Sequence, residues 1–353
     1  MISQRIVVLG GSGFVGRHLL RRLAADGHDL LLVSRNLGAH AERLLPPGVR
    51  LTQRDVHDEN ALRELFAGAD TVVNLVGLLN ERGDDGAGFR RAHVELTGKI
   101  IAACHATGVK RLLQMSSLNA GRGCSHYLAS RGEAEALVRA SGLAWTIFEP
   151  SVIFGPGDGL FFRFAALLRW LPVMPLARAN ARFAPVYVGD VAEAFARVLR
   201  DPATAGETYE IYGPEVYTLR QIVEMTARQL GLRRWVLPLP DVFGRLQGLV
   251  CDFVPGKPFS SDNFRSLLTD SVGGIDGLHR LGIEPVRVSR ALPSLLGHHG
   301  DRQSRLARSK PNSAARRCAS SWVTSLRCAR RIAGTSPNTA WTLVHASAWH
   351  LPI

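Results

Sequence analysis

Seven residues near the start of the chain have the composition and spacing of a phosphate-binding turn. Residues 10–16 read Gly-Gly-Ser-Gly-Phe-Val-Gly, with glycine at the first, fourth and seventh positions. We expect Gly10 to permit a tight turn, Gly13 to let a pyrophosphate approach the backbone, and Gly16 to let the following helix pack closely on the sheet. The N–H groups and the positive dipole end of that helix would then bind phosphate. The predicted phosphate-binding residues are Gly10, Ser12, Gly13, Phe14, Val15 and Gly16.

The end of the second expected strand determines which dinucleotide suits this turn. In NAD-binding domains an Asp or Glu about 20 residues past the glycines binds the ribose 2′-hydroxyl. Here the strand ends in Ser34 and Arg35, and no acid is present. A guanidinium can bind a 2′-phosphate and stack on adenine. The sequence therefore favours NADP(H), with NAD(H) as the alternative ligand and a solvated loop residue as the alternative interpretation of Arg35.

The elements that must position these residues follow an alternating pattern. Apolar runs of strand length alternate with segments of helical periodicity through the first 150 residues, and this alternation predicts a doubly wound parallel sheet. The fold class is therefore α/β, a Rossmann-type sheet with a smaller C-terminal lobe. The predicted strands lie at 5–9, 29–33, 49–53, 71–76, 111–115 and 145–148, and the helices at 14–26, 59–66, 90–107 and 130–141.

Three regions follow from this pattern. Residues 1–150 form the predicted NAD(P)-binding domain, and residues 151–300 a smaller lobe that would cover the ligand and bind a substrate or partner. In that lobe we expect Asp190 and Thr218 to cap helices that begin at Val191 and Leu219. Residues 301–353 are rich in Ala, Arg and Ser without helical or strand periodicity, so we interpret them as a disordered or non-native basic tail.

The net charge of +13 belongs mainly to the tail. From Arg302 onward there are nine basic residues and no acid, so residues 1–301 carry 34 basic and 30 acidic side chains and a net charge of only +4. This distribution does not favour a nucleic-acid partner. The apolar fraction of 46% and the charged fraction of 21% are typical of a globular protein.

The sequence also limits the membrane and metal interpretations. No run of 18 apolar residues occurs, which predicts no transmembrane segment. Residues 160–176 come nearest, but Arg163, Arg169 and Pro172 interrupt them, so we favour an amphipathic helix packed on the core over one at a membrane surface. The five cysteines and the cluster His279, His298 and His299 lack metal-ligand spacing, so we expect no metal, free thiols and a cytoplasmic location.

Several motifs resemble those of the extended and atypical short-chain dehydrogenases/reductases. The resemblance extends over about residues 3–295 and is closest to the dehydrogenase-like accessory subunit of respiratory complex I and its bacterial relatives. It implies that Asp55 and Val56 flank adenine and that Pro150 and Val152 contact the nicotinamide end. It further implies that Leu75, Val76 and Gly77 line the ribose and phosphates, and Ser116 is a further predicted cofactor-binding residue. The matching segments are 10–16, 54–56, 74–77, 80–82, 115–120, 127, 150–156 and 185–192.

The resemblance also implies a catalytic set that this chain has altered. Active members place a Tyr four residues before a Lys; the Tyr is the acid or base, and the Lys binds the nicotinamide ribose. Here Tyr127 precedes Arg131, which keeps the charge but has a larger, forked head. The assisting serine would be Ser117, although the position that aligns with it is Leu118. Tyr127 is therefore either a catalytic residue or a ribose-binding and packing residue.

Two functions remain open at this point. The first is a cofactor-holding structural or assembly protein, linked to a membrane-associated partner of respiratory complex I or quinone metabolism and peripheral to the inner face of a membrane. The second is an NADP(H)-dependent oxidoreductase or epimerase that acts on a small or isoprenoid-like substrate with Tyr127 as acid/base. The replacement of Lys by Arg131 favours the first, and the loop at residues 154–158 is consistent with the second.

Overall fold

A parallel sheet of seven strands, six from residues 5–150 and one from residues 207–211, forms the centre of the computed structural model. The structure describes residues 3–35, 46–81, 83–254, 257 and 259–297. Residues 1–298 form one compact unit. The second unit, 299–353, contains the expected basic tail and lies outside the described residues. The strands of the sheet are β1 (Arg5–Leu9), β2 (Asp29–Ser34), β3 (Val49–Gln53), β4 (Thr71–Asn74), β5 (Arg111–Met115), β6 (Ala144–Pro150) and β11 (Glu207–Ile211).

The spatial order of the strands is β11-β6-β5-β4-β1-β2-β3, and every pairing is parallel. The order reverses direction at the β1–β4 pair, where the crossovers change from one side of the sheet to the other. Ligands of such sheets bind beyond the carboxyl ends of the strands at this switch point. The predicted Rossmann-type α/β fold is therefore confirmed, and the glycine turn after β1 lies at the switch point.

Helices cover both faces of the sheet because its strands are apolar on both sides. On one face α1 (Phe14–Ala25) packs beside α7 (Val188–Arg200). The other face is covered by α2 (Glu59–Phe66), α4 (Leu96–Thr107) and α5 (His126–Arg139). A one-turn helix α3 (Ala87–Phe89) and a π-helical turn (Arg90–Glu95) lead directly into α4, so the predicted helix at 90–107 begins earlier and with a different winding.

The remaining elements form a smaller lobe with two apolar clusters of its own. Three strand pairs belong to it: β7 (Ile153–Phe154) with β10 (Val186–Tyr187), β8 (Val173–Ala177) with β13 (Trp235–Leu239), and β9 (Arg182–Phe183) with β12 (Tyr217–Thr218). The helices are α6 (Phe161–Trp170), α8 (Leu219–Gln229), α9 (Asp241–Asp252), α10 (Ser261–Ser266) and α11 (Gly277–Arg280). None of the helices in the described residues is long and apolar enough to cross a membrane.

The two expected helix caps have different outcomes. The Thr218 hydroxyl accepts from the Gln221 N–H while the Gln221 side chain accepts from the Thr218 N–H, a capping box that confirms the expectation. The expectation for Asp190 was wrong. Helix α7 begins earlier, at Val188, and Asp190 lies in its first turn, where its carboxylate accepts from the Val286 N–H at 2.7 Å. Burial raises the pKa of Asp190 to about 6.

Candidate nucleotide site at the sheet switch point

The turn after β1 brings the first predicted motif against the end of β4. Gly10 has φ +76°, a left-handed conformation that favours glycine. A Cβ on Gly10 would also lie 3.0 Å from the backbone of Leu75 and Val76. The Leu75 N–H donates to the Leu9 carbonyl at 2.9 Å and holds the two loops side by side. Two segments separated by more than 60 residues therefore form one continuous backbone surface.

Close packing inside the turn depends on two further glycines. A Cβ on Gly16 would overlap the backbone of Gly11, so the first turn of α1 lies directly on the glycine turn. The expected contact of Gly16 with the sheet is instead a contact with the turn. Gly11, to which the sequence analysis gave no role, is the residue that meets the sheet, because a Cβ there would lie 2.5 Å from Cδ1 of Leu32.

The N-terminus of α1 is open to an anion. Gly13 is the N-cap residue in extended conformation, and no side chain caps the helix or places an acid in its first turn. The first-turn N–H groups and the positive end of the helix dipole therefore face the loop region beyond the sheet. Ser12 lies at the same end, where its hydroxyl oxygen is 3.4 Å from that of Ser34 at the end of β2.

The carboxyl ends of β2 and β3 supply an exposed cation. Arg35 follows β2, and its side chain is exposed in a shallow depression shared with Gln53, Arg54 and Asp55. Among the described residues no ion pair involves Arg35, while its carbonyl accepts from Gln53 Nε2 at 2.9 Å. The Asp55 carboxylate is already used within its own loop, accepting from the His57 N–H at 3.0 Å, and Val56 is buried beside it.

The buried side chain of Arg131 is hydrogen-bonded to the backbone at the end of β5. Its Nη1 donates to the Met115 carbonyl at 3.0 Å. The guanidinium lies against Gly77, where a Cβ would overlap Nη2, and its Cζ is 5.5 Å from the centre of the Tyr127 ring. The structure thus brings together Gly77, Tyr127 and Arg131, which the sequence analysis predicted for one site, and adds the Met115 carbonyl.

Tyr127 is held from three sides by groups that the sequence analysis did not identify. Its N–H and that of His126 donate to the Asp262 carboxylate of α10, at 3.2 and 2.7 Å. The ring of Tyr127 lies edge-on to the rings of Phe89 and His93, at 5.9 and 5.7 Å between centroids. These partners lie far from Tyr127 in sequence, and nothing in the spacing of the chain identifies them.

His93 orders the loop that follows β4. Its Nε2 accepts from the Leu78 N–H at 3.2 Å, so its proton is on Nδ1, which donates to Ser130 Oγ at 2.8 Å. The Ser130 hydroxyl then donates to the Tyr127 carbonyl at 2.9 Å. Burial, with a smaller contribution from the charge of Arg131, lowers the pKa of His93 to about 2, so the imidazole stays neutral. The π-helical turn at 90–95 places His93 in this position.

Three buried polar atoms at this site have no partner within the described residues. They are the hydroxyl oxygens of Ser116 and Ser117, after β5, and Nε of Arg131. Buried polar groups in folded proteins are almost always hydrogen-bonded, so unsatisfied atoms at a sheet switch point fit the polar groups of a ligand. The aligned residue Leu118 is buried and apolar, and its N–H donates to the Pro150 carbonyl at 2.9 Å.

The last predicted segment borders the smaller lobe. Pro150 ends β6, and the Val152 carbonyl accepts from the Val186 N–H at 3.0 Å. Between them Ser151 is fixed by a hydrogen bond from its hydroxyl to the Ser271 carbonyl at 2.8 Å. Within the part of the chain that the structure describes, no group of three or more His, Cys, Asp or Glu residues is placed to hold a metal ion.

Residues 6–212 match the model of the NAD dependent epimerase/dehydratase family. The chain belongs to this family. The matched residues include parts of every strand of the central sheet and all of the residues predicted for the nucleotide site.

Members and structures similar to the chain differ in what they do. The mitochondrial 40 kDa subunit of NADH-ubiquinone oxidoreductase from Neurospora crassa is 27% identical over 80% of this chain and 76% of its own length. Ceramide reductase from Caulobacter vibrioides is 29% identical over 67% of this chain and 74% of its own length. The dTDP-glucose 4,6-dehydratase DesIV from Streptomyces venezuelae, solved with NAD, has a TM-score of 0.69 at 20% identity over 85% of this chain and 98% of its own.

Proposed function

We propose that the protein binds NADP(H) as a long-lived cofactor and serves mainly as a structural or assembly component of a membrane-associated respiratory or quinone-pathway partner. The observation that carries this proposal is the position of Arg131. A guanidinium that donates to the Met115 carbonyl and packs against Gly77 is part of the protein's own packing. The family's catalytic Lys, in contrast, is a compact cation that must reach the nicotinamide ribose.

The choice of cofactor rests on the ends of β2 and β3. Exposed Arg35 has no acidic partner among the described residues, and Ser34 ends the strand where an NAD-binding domain would carry an acid. The open N-terminus of α1 and the unpartnered hydroxyls of Ser116 and Ser117 supply further donors for phosphate and ribose oxygens. Relatives named as subunits of NADH-ubiquinone oxidoreductase support the partner, because they are similar in sequence to this chain over 75–80% of its length.

A second function is favoured by the relatives that are reductases. Ceramide reductase and 2-alkyl-3-oxoalkanoate reductase are both similar to this chain over about two thirds of its length. In that case the chain would be an NADP(H)-dependent oxidoreductase or epimerase. Tyr127 would protonate or deprotonate the substrate oxygen, while Ser117 would orient that oxygen and Arg131 would bind the ribose.

Titration of the purified protein with NADPH and with NADH tests the proposed cofactor. We expect NADPH to bind more tightly, and Arg35→Ala to lose that preference by about 1.5–3 kcal/mol, the usual contribution of a hydrogen bond to a charged group. Arg50→Ala is the matched control, because Arg50 lies on the neighbouring strand and pairs with Asp29 at 2.7 Å. Failure of both nucleotides to bind at about millimolar concentration would refute the cofactor proposal.

The dissociation rate of NADPH separates the two functions. A structural cofactor should leave slowly and should survive gel filtration, whereas a cosubstrate must exchange in every catalytic cycle. We therefore expect slow release and no oxidation of NADPH by ketone or aldehyde substrates. Turnover at the rates of ordinary enzymes, on the order of 1 s⁻¹ or more, would decide in favour of the reductase.

A further inference from the structure

Helix α9 turns its small residues inward and its large apolar residues outward. Gly244 and Gly248 are buried one turn apart. A Cβ on Gly244 would lie 2.9 Å from the ring of Phe264, and one on Gly248 would lie 3.1 Å from Cα of Ser261. The helix is therefore packed closely on α10, and a side chain at either position would require Phe264 or the backbone of α10 to shift. The outward side carries Val242, Phe243, Leu246, Leu249 and Val250, followed by Phe253, all more than half exposed.

The neighbouring strands extend this surface. Pro175 and Ala177 of β8 contact α9, since the Pro175 carbonyl accepts from Gln247 and Ala177 lies against Gly244. Val173 shares that strand face, because alternate residues of a strand point the same way, and it pairs with Trp235 of β13. Trp235 is 80% exposed. Its N–H donates to the Pro172 carbonyl at 3.1 Å, which brings it to the segment that follows α6 and its last residue, Trp170, which is 86% exposed. We call the outer side of α9 together with Trp170 and Trp235 the apolar face.

The charges around the apolar face are positive. Arg169, Arg233 and Arg245 are exposed, and none of them forms an ion pair among the described residues. The two acids of α9 are already neutralised by partners, Asp241 by Arg178 at 3.1 Å and Asp252 by Lys257 at 3.6 Å. A surface of exposed aromatic and aliphatic side chains with unpaired arginines beside it is complementary to a layer that is apolar inside and anionic at its surface.

We propose that the apolar face docks on the surface of a bilayer that contains anionic lipids. Helix α9 has 12 residues and is about 18 Å long, too short to span a bilayer, so it would lie in the plane of the headgroups. Phe243, Leu246 and Val250 would enter the acyl region, and Trp170 and Trp235 would lie at the headgroup level, where tryptophan is favoured. Arg169 and Arg233 would contact lipid phosphates. This proposal does not depend on nucleotide binding or catalysis.

The experiment is flotation of the full-length protein with vesicles. We would compare vesicles of phosphatidylcholine alone with vesicles that also contain phosphatidylglycerol. The disruptive variant is Leu246→Glu with Val250→Glu, two exposed residues one turn apart whose replacement keeps helix-forming side chains. The control, Leu137→Glu with Ile275→Glu, adds the same two charges at exposed apolar residues on α5 and beside α11. All variants keep the basic tail, so binding through the tail alone is common to them.

We expect the wild type and the control to float with the anionic vesicles and the α9 variant to lose most of that binding. Arg169→Gln with Arg233→Gln should reduce the preference for anionic over neutral vesicles. Brominated lipids should quench tryptophan emission less in a Trp170→Phe, Trp235→Phe variant than in the wild type. Equal flotation of the α9 variant and the control would overturn the proposal and assign binding to the tail. Absence of flotation of the wild type would also overturn the proposal. A change in oligomeric state only in the α9 variant would then assign the face to a second copy, and a change in thermal stability only in that variant would assign it to another part of the chain.

Discussion

Arg131 and Gly77 are in direct contact: the guanidinium occupies the space where any side chain at residue 77 would begin. The contact joins α5 to the loop after β4. A hydrogen bond from Arg131 to the Met115 carbonyl also holds the guanidinium in place. Because Arg131 is buried, a larger side chain at residue 77 would displace its guanidinium. The contact therefore fixes the position of the Arg131 guanidinium beside the loop after β4, at the border of the candidate nucleotide site.

Gly77→Ala should weaken nucleotide binding. The added methyl overlaps Nη2 of Arg131, and Gly77 does not have the left-handed conformation that would add backbone strain. Displacement of the guanidinium would cost the hydrogen bond to Met115, about 1.5–3 kcal/mol for a charged donor. We expect a comparable loss in the free energy of unfolding and an NADPH affinity at least about tenfold lower. Urea denaturation and fluorescence titration measure the two effects.

Gly98→Ala is the matched control for this change. Gly98 lies in α4, and a Cβ there meets no atom within 4 Å. Alanine should stabilise the helix by about 0.5–1 kcal/mol and leave NADPH binding unchanged. If Gly77→Ala behaved like Gly98→Ala, the contact with Arg131 would have no energetic consequence.

Tyr127→Phe distinguishes a packing role from acid–base catalysis. The ring packs against Phe89 and His93, and phenylalanine keeps those contacts. We expect NADPH affinity to fall by no more than about tenfold, the range for loss of one hydrogen bond. An acid–base role would instead require turnover to fall by about 10²–10⁴-fold, with nucleotide binding retained. Tyr212→Phe, at a tyrosine that follows β11, controls for general effects of removing a hydroxyl.

His93→Phe should destabilise the loop that carries Leu75, Val76 and Gly77. The substitution leaves the Leu78 N–H without its acceptor and Ser130 without its donor, at a cost of about 1–3 kcal/mol for an unsatisfied buried group. His105→Phe, at an exposed histidine of α4, should change the free energy of unfolding by less than about 0.5 kcal/mol. Equal effects of the two substitutions in urea denaturation would contradict the role of His93.

The sheet and its helices were predictable because their signals are local. Strand-length apolar runs, a glycine turn and the Thr218 capping residue each act within a few positions of the chain. The resemblance to a known superfamily, which the family match confirms, predicted which residues lie at the switch point of the sheet. What these signals could not give were contacts between distant segments, such as Arg131 with Gly77 or Asp262 with Tyr127.

Helix α9 was missed for a different physical reason. Periodicity identifies a helix by assuming that its apolar residues face the core. In α9 the apolar residues recur at helical spacing, but they face solvent. The core side is made of Gly244 and Gly248, and two glycines inside a segment argue against a helix because of their low helix propensity. The preference for a packed helix at 160–176 was correct for Phe161 and Leu168, which are buried, but not for exposed Trp170.

The environment of Glu149 predicts that the stability of the protein depends on pH. The sequence alone gives this residue no role. It lies on β6 close to Glu135 of α5, and Arg139 bonds Glu135 at 2.8 Å but is 3.7 Å from Glu149. Burial, and then the charge of Glu135, raise the pKa of Glu149 to about 7. The folded protein therefore holds a proton that the unfolded chain, with an ordinary glutamate pKa of about 4.3, has released. This contribution to stability is complete below that lower pKa and is lost as the pH rises through about 7.

Glu149→Gln should remove this dependence, because an amide can donate to Glu135 at every pH. We expect the variant to match the wild type near pH 5 and to be more stable at pH 8, by an amount on the order of 2 kcal/mol. The control is Glu133→Gln, at an exposed residue of α5 whose carboxylate pairs with Arg90. The free energy of unfolding from urea titrations between pH 5 and 8 measures the difference. If the stability of the wild type and of Glu149→Gln declined in parallel between pH 5 and 8, the raised pKa of Glu149 would not be the cause of the pH dependence.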